Sequence, residues 1–166
     1  ISVIGEEYGI QDNGSGQVNR ARKSLLISAV KGSSDTANHN LHLLIMGLAG
    51  SGKTKMARSL LSLLNDNGQF VNLEKSSEAG IIGANVQSEE LGGRYVVESG
   101  AVTQADGSVC VIDEVDKTDR SSEQNILGEP MEDAQIKITK TAKAELPADV
   151  SFVLTANPEG KDHYTS

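Results

Sequence analysis

Residues Gly47 to Thr54 read GLAGSGKT, a G-x-x-x-x-G-K-T phosphate loop of the Walker A type. Its glycines let the backbone wrap close to phosphate oxygens, where a Cβ would clash. The amides of residues 50 to 54 then point inward, and the N-terminus of a following helix adds partial positive charge. At this spacing Lys53 reaches the β- and γ-phosphates of a nucleotide, and the Thr54 hydroxyl can ligate Mg²⁺. The expected cradle is Gly47, Leu48, Ala49, Gly50, Ser51, Gly52, Lys53, Thr54 and Lys55. A chance Gly-rich turn before a helix is the bland alternative. The strand-loop-helix setting of the fixed positions argues against it.

A second group of chemistry-bearing residues lies sixty positions after Lys53, where the apolar run SVCVI ends in Asp113-Glu114. Paired with a phosphate loop, this is a Walker B arrangement. Asp113 would hold Mg²⁺ directly or through water, and Glu114 would orient and activate the water that attacks the γ-phosphate. Carboxylates at the C-terminal edge of a parallel strand suit this task, because open α/β sheets bind their ligands there. Asn157 follows the last apolar run, in the position of a polar sensor beside the γ-phosphate. Asn-Pro also marks ordinary turns, so spacing alone leaves the two readings level. His39, His42 and His163 have no ligand spacing and read as loop or satisfied surface histidines. Glu98 and Glu129 are ambiguous by spacing.

These residues need elements to carry them. The periodicity of Val18 to Val30 predicts a helix. Leu41, Leu43, Leu44, Ile45 and Met46 predict the strand that feeds the loop. Met56, Leu60, Leu61, Leu63 and Leu64 predict a helix after Lys53 that stops near Asn67-Gly68. Gln69–Leu73 reads as a strand, Ile81–Tyr95 as irregular, Arg94–Glu98 as a strand and Ser99–Gln104 as a short helix. Ser108–Ile112 reads as a buried parallel strand. Thr118 or Asp119 can cap a helix running to about Gly128. Gln135–Lys140 alternates apolar and polar residues, with Lys143–Leu146 as a hairpin partner before Pro147 interrupts. Val150–Leu154 is the last strand.

The chain has 166 residues, the size of one domain, and 37% of them are hydrophobic. Aromatics make up 3%, so the core is aliphatic. A net charge of −8 argues against a general nucleic-acid binder and confines any DNA contact to a local basic feature. Cys110 is the single cysteine and sits in an apolar run, which fits a reducing interior. No apolar stretch is long enough to span a membrane, and no signal-peptide pattern is visible. The expectation is an intracellular protein, cytoplasmic in a prokaryote or nuclear in a eukaryote. The start at Ile1 rather than Met, and the stop at Ser166 in a polar stretch, read as a fragment of something longer.

Several strings are more specific than the two Walker motifs. AVTQADGSVCVIDEVDK, then EPMEDAQIKITK, then VLTANPEG, resemble the MCM (minichromosome maintenance) family of AAA+ replicative DNA helicases. SSEAGIIG with RYVVESGAV resembles the segment these proteins insert after the second strand, and SVIG with ARKSLLISAVKGS resembles the entry to their AAA+ module. The resemblance covers about Ser2 to Gly160. It implies an α/β AAA+ P-loop NTPase fold over residues 1–166. That fold is a five-stranded parallel sheet in order 5-1-4-3-2 with helices on both faces, a helix-2 insertion at about 80–97 and a pre-sensor-1 β-hairpin at 136–146. It implies ATP and Mg²⁺ as ligands, a homo-hexameric ring with ATP between neighbours, and DNA through the pore. Carried over, Lys53 and Thr54 are Walker A, Asp113 and Glu114 are Walker B, and Asn157 is sensor 1. Lys140 is the hairpin lysine on DNA backbone, with Lys137 and Lys143 clustered near the same tip. Phosphate contacts of this kind carry little sequence information, as a translocase requires. A solubilising hairpin edge is the simpler reading of the lysines without the resemblance.

The chain also departs from the family pattern. Leu48-Ala49-Gly50-Ser51 replaces the usual Asp-Pro-Gly-Thr of Walker A, and Val115 stands where Phe is usual. Pro147-Ala148-Asp149 replaces the common Asn-Ala-Arg, which suggests a shortened return strand. Gln11–Gln17 looks like an insertion. The family's arginine finger, sensor 2 arginine, C-terminal lid and N-terminal DNA-binding domain lie outside residues 1–166. The expected function is an MCM-type helicase core that couples ATP hydrolysis to DNA translocation and unwinding in replication. The segment alone is expected to bind nucleotide with little hydrolysis and no unwinding. The rivals are a MoxR- or chelatase-like AAA+ ATPase remodelling protein, and a non-hydrolysing ATP-binding ring subunit.

Overall fold

A computed structural model describes residues 14, 16–29, 40–64, 67–117, 123–139 and 143–158. Four strands form a parallel sheet: β1 (Leu43–Met46), β2 (Gln69–Asn72), β5 (Val109–Asp113) and β8 (Ser151–Ala156). Their order is β1-β8-β5-β2. The register pairs Leu43 with Val153, Val109 with Ser151, and Gln69 with Cys110. A fifth parallel strand is not among the described residues.

The central strands are buried on both faces, so their residues divide between two cores. Val109, Val111 and Val153 face α1 (Gln17–Ala29) and α2 (Lys53–Leu61), where Leu25, Met56, Ala57 and Leu60 complete an aliphatic cluster. Cys110, Ile112 and Phe152 point the other way. They pack with α3 (Glu78–Ile82), α4 (Ala101–Gln104) and α5 (Glu123–Asp133) through Ile81, Val102 and Leu127. This period-2 division gives a three-layer α/β domain. Burial pushes the Cys110 thiol up to about 12, so it is an inert core residue.

Two antiparallel hairpins interrupt the α/β alternation. The stretch Ile81–Tyr95, expected to be irregular, instead ends α3 and contains β3 (Gly83–Ser88), which pairs with β4 (Arg94–Ser99) in register Gly83–Ser99 to Ser88–Arg94. GANVQS lacks strand composition, so its state is set by its partner rather than by propensity. Gly83 opens it at φ +106, where an added Cβ would stand 2.5 Å from the Glu98 carbonyl oxygen. The second hairpin, β6 (Gln135–Ile138) with β7 (Ala144–Pro147), has two strands of equal length. Pro147 therefore does not cut the return strand short. Ala148 donates its amide inward to Ala134 at 2.9 Å, so the adjacent Pro147 nitrogen faces away from β6 and its missing donor costs nothing there.

Two helix boundaries differ from expectation. Helix α2 ends at Leu61, and the amides of Leu63 and Leu64 turn back three residues in a tight last turn, ahead of Asn67-Gly68. Helix α5 runs past Gly128 and through Pro130 to Asp133, held by Ile126, Leu127 and Met131 against the core. Thr118 and Asp119 lie outside the described residues.

His42 ties α5 to the sheet and is half-buried rather than a surface group. The Phe152 amide donates to its Nδ1 at 3.2 Å, which leaves Nε2 to donate to the Met131 carbonyl at 3.3 Å. Burial holds its pKa below 6.5, against the opposing pull of the Met131 bond. Its contribution to stability is thus present above pH 6.5 and is lost as pH falls through the lowered value. The melting temperature should fall over that window. His42→Gln, which keeps a donor and an acceptor but cannot ionise, should flatten the profile there. Equal slopes in the two proteins would assign the loss to another group.

Candidate functional site at the strand ends

All four parallel strands deliver a polar residue to one end of the sheet. Asn72 is the last residue of β2 and Asp113 the last of β5, Asn157 follows β8, and the phosphate loop follows β1. The phosphate loop, Asp113 and Asn157, with Thr155, Glu114, Asp116 and Lys117, surround an open cleft of about 720 Å³, and Asn72 bonds Glu114 at its edge. Neighbouring parallel strands end side by side, so residues more than a hundred positions apart become neighbours. This is where open α/β sheets place ligands.

Asp113 is the buried centre, at 5% exposure. The Thr54 hydroxyl donates to its Oδ1 at 2.9 Å, and the buried Thr155 hydroxyl donates to the same oxygen. The Thr155 oxygen also accepts the Glu114 amide at 3.3 Å, and the Thr155 carbonyl accepts the Val115 amide at 3.1 Å. One threonine of β8 therefore fixes both the carboxylate and the backbone turn that leaves β5. Glu114 takes this turn in the left-handed region, at φ +61. A non-glycine residue adopts this conformation at a cost of about 1–2 kcal/mol, and only when its surroundings enforce it.

Lys53 curls over the phosphate loop. Its ammonium donates to the carbonyls of Gly47 (2.7 Å) and Leu48 (2.9 Å) and to Asn157 Oδ1 (3.0 Å). Burial lowers its pKa, and the charges of Asp116, Asp113 and Glu114 oppose that shift. Glu114 accepts from Lys117 and from Asn72 Nδ2 at 2.9 Å. The Lys117 bond, followed by the Asn72 bond, holds the Glu114 carboxyl below the usual glutamate range and makes it a poorer base in this arrangement. Lys117 also lies 3.9 Å from Glu74.

The residues fit a triphosphate with a hard cation. Glycines at 50 and 52 adopt positive φ, and a Cβ at Gly47 would crowd the Ser51 hydroxyl at 3.1 Å. Thr54 and Asp113 bring two oxygen ligands together, the number a Mg²⁺ ion takes when phosphate and water supply the rest.

Asp116, Lys117 and Thr155 line this cleft and Asn72 holds Glu114 from behind it, although motif reading assigns the four no role. Signals for them exist. Asn72 is a polar end to an apolar strand, Thr155 alternates with Asn157, and Asp116-Lys117 completes the acidic run DEVDK.

The hairpin lysines lie elsewhere. Lys137 sits on β6 opposite Glu145, and its ammonium is 3.4 Å from Glu129 and 3.9 Å from Asp133. Glu129 is thereby a structural partner. Lys143 is exposed just ahead of β7, and Lys140 lies outside the described residues.

Comparison with known proteins gives a consistent family. A family model for the MCM P-loop domain matches residues 12–166. The chain is 34% identical over 122 residues to DNA replication licensing factor mcm6 of Schizosaccharomyces pombe, covering 73% of this chain and 13% of that protein. It is 32% identical over 121 residues to the minichromosome maintenance protein MCM of Saccharolobus solfataricus, covering 72% and 17%. It is 32% identical over 126 residues to the probable DNA helicase MCM8 of Arabidopsis thaliana, covering 75% and 15%. The matched region is thus under a fifth of each relative's length.

Removing the Thr155 hydroxyl should expose the dependence of Asp113 on it. Thr155→Val leaves a buried carboxylate oxygen short of a donor and is expected to cost about 1–3 kcal/mol in chemical denaturation, with Thr155→Ser close to the parent.

Proposed function

The chain belongs to the MCM family, and we propose that it is the ATP-binding core of an MCM-type DNA helicase, coupling ATP hydrolysis to DNA translocation and unwinding. The observation that carries this reading is the meeting of Lys53, Thr54, Asp113 and Asn157 in one cleft at the strand ends. Lys53 exchanges the carbonyls of Gly47 and Leu48 for phosphate oxygens, with the other residues of the 47–55 cradle around them. Thr54 and Asp113 hold Mg²⁺, which when bound neutralises charge on the phosphates. Glu114 must leave Lys117 and Asn72 before its carboxylate can orient water and accept its proton. Asn157 senses the γ-phosphate. A neighbouring copy's arginine completes the site, so the working unit is a ring, a homo-hexamer in this reading.

Support for the remaining architecture comes from the sheet edge and the hairpins. Among the described residues β1 pairs on one side only, and Leu44 and Met46 on it are 50% and 59% exposed. A fifth strand beside β1, in the order 5-1-4-3-2, would cover that edge. The β3–β4 hairpin takes the place of the helix-2 insertion, and the β6–β7 hairpin that of the pre-sensor hairpin. Lys137, Lys140 and Lys143 of the latter contact DNA phosphates in the pore, Lys137 by giving up Glu129 and Asp133. The setting is the inside of a cell. Relatives named for DNA replication and helicase function favour DNA over a protein substrate. The intact Lys53, Asp113 and Glu114 disfavour a non-hydrolysing subunit.

Lys53→Ala in the intact protein should abolish ATP binding, measured by calorimetry; unaltered binding would sink the assignment. Glu114→Gln should retain ATP but slow turnover by roughly 10²–10⁴-fold. Loss of binding in that variant would make Glu114 structural. DNA stimulation of the ATPase should disappear with Lys140→Ala, and its persistence would remove that lysine from the DNA contact.

A further inference from the structure

Asp116 is engaged by a single residue at two points. The Asn157 backbone amide donates to Asp116 Oδ1 at 3.0 Å, and the Asn157 side-chain Nδ2 donates to Asp116 Oδ2 at 3.2 Å. The other end of the same carboxamide, Oδ1, accepts from the Lys53 ammonium at 3.0 Å. An ammonium can only donate and a carboxylate can only accept, so the chemistry of the two neighbours fixes which way the amide faces. Turning it over would set Nδ2 against Lys53 and Oδ1 against Asp116, losing both bonds. Burial raises the Asp116 pKa, but the Asn157 backbone bond and the further hydrogen bonds outweigh this, so the carboxyl lies below the usual aspartate range and is charged at neutral pH.

We propose that Asp116 is a positioning residue: it clamps Asn157 so that the amide oxygen meets Lys53 and the amide nitrogen is withheld from the cleft. The proposal rests on the reading of the cleft as a nucleotide site. A phosphate offers only acceptors. An arriving γ-phosphate therefore draws Lys53 away from Asn157 Oδ1, and it gains the Asn157 Nδ2 donor only in competition with Asp116. Asp116 thus tunes how strongly Asn157 distinguishes a triphosphate from a diphosphate. No other described residue has this arrangement with Asn157, and a neutral acceptor at position 116 could not hold both of its donors as a carboxylate does.

The donor–acceptor logic supplies its own test. Asp116→Asn places an amide nitrogen against Asn157 Nδ2. Asn157→Asp places two carboxylates against one another. The exchange double variant, Asp116→Asn with Asn157→Asp, refills all three bonds at unchanged total charge. Asn at 116 accepts the backbone amide and donates to Asp at 157, whose second oxygen accepts from Lys53. In the intact protein without nucleotide, each single variant should shift the unfolding equilibrium about tenfold toward the unfolded state, and the double variant should recover most of that. Titration with Mg²⁺·ATP and Mg²⁺·ADP should show a changed ATP-over-ADP preference in Asp116→Asn, an effect that a purely structural residue would not produce.

Additive losses in the double variant, or an unchanged preference in Asp116→Asn, would overturn the clamp. If Asp116→Asn fails to fold, the double variant decides: recovery of folding supports the clamp, and failure refutes it. Failure of the parent to bind either nucleotide would instead refute the nucleotide site itself, whatever the stability coupling shows.

Discussion

A carboxylate taken almost out of water must find donors, and the structure around Asp113 is arranged to provide them. Thr54 comes from the helix after β1 and Thr155 from β8. For both hydroxyls to reach Asp113, β1, β8 and β5 must lie in that order and end at the same level. The parallel register from Leu43–Val153 across to Cys110–Phe152 sets that level. The aliphatic cores on the two faces hold the strands in place, with Phe152, Cys110 and Ile112 on one side and Val111 and Val153 on the other. Packing therefore positions the chemistry: a slip of one residue in β8 would turn Thr155 away from Asp113.

The cleft is built from groups that are mutually satisfied. Lys53 rests on loop carbonyls and Asn157, Asn157 on Asp116, and Glu114 on Lys117 and Asn72. The side chains of Lys53, Thr54, Glu114 and Asn157, which a nucleotide would engage, each already have a partner from the chain itself. Ligand binding then becomes an exchange of hydrogen bonds rather than a filling of empty valences, and such an exchange can be graded by small changes in the partners.

The hairpins show how the same domain physics is adapted at the periphery. Both are antiparallel, unlike the sheet they interrupt, and so can project from it on short connections. The β6 strand is charge-compensated at Lys137 by Glu129 and Asp133 of α5, which ties the hairpin to that helix.

The chain by itself determined the phosphate loop, the Asp113-Glu114 pair and the α/β class. These depend on local spacing and on periodicity, which neighbouring residues carry. It also marked α1, β5, β8 and the β6–β7 hairpin to within a residue or two. It did not reveal β3, whose residues lack strand preference and take that state from β4, nor the run of α5 through Pro130, which core packing enforces. It assigned Asn72, Asp116, Lys117 and Thr155 no role, and it left Asn157 level between sensor and turn. What those residues touch is decided across separations of up to 104 positions, by strands that become neighbours only when the sheet forms. Side-chain partners at such separations arise from strand order and register, which only the tertiary structure fixes.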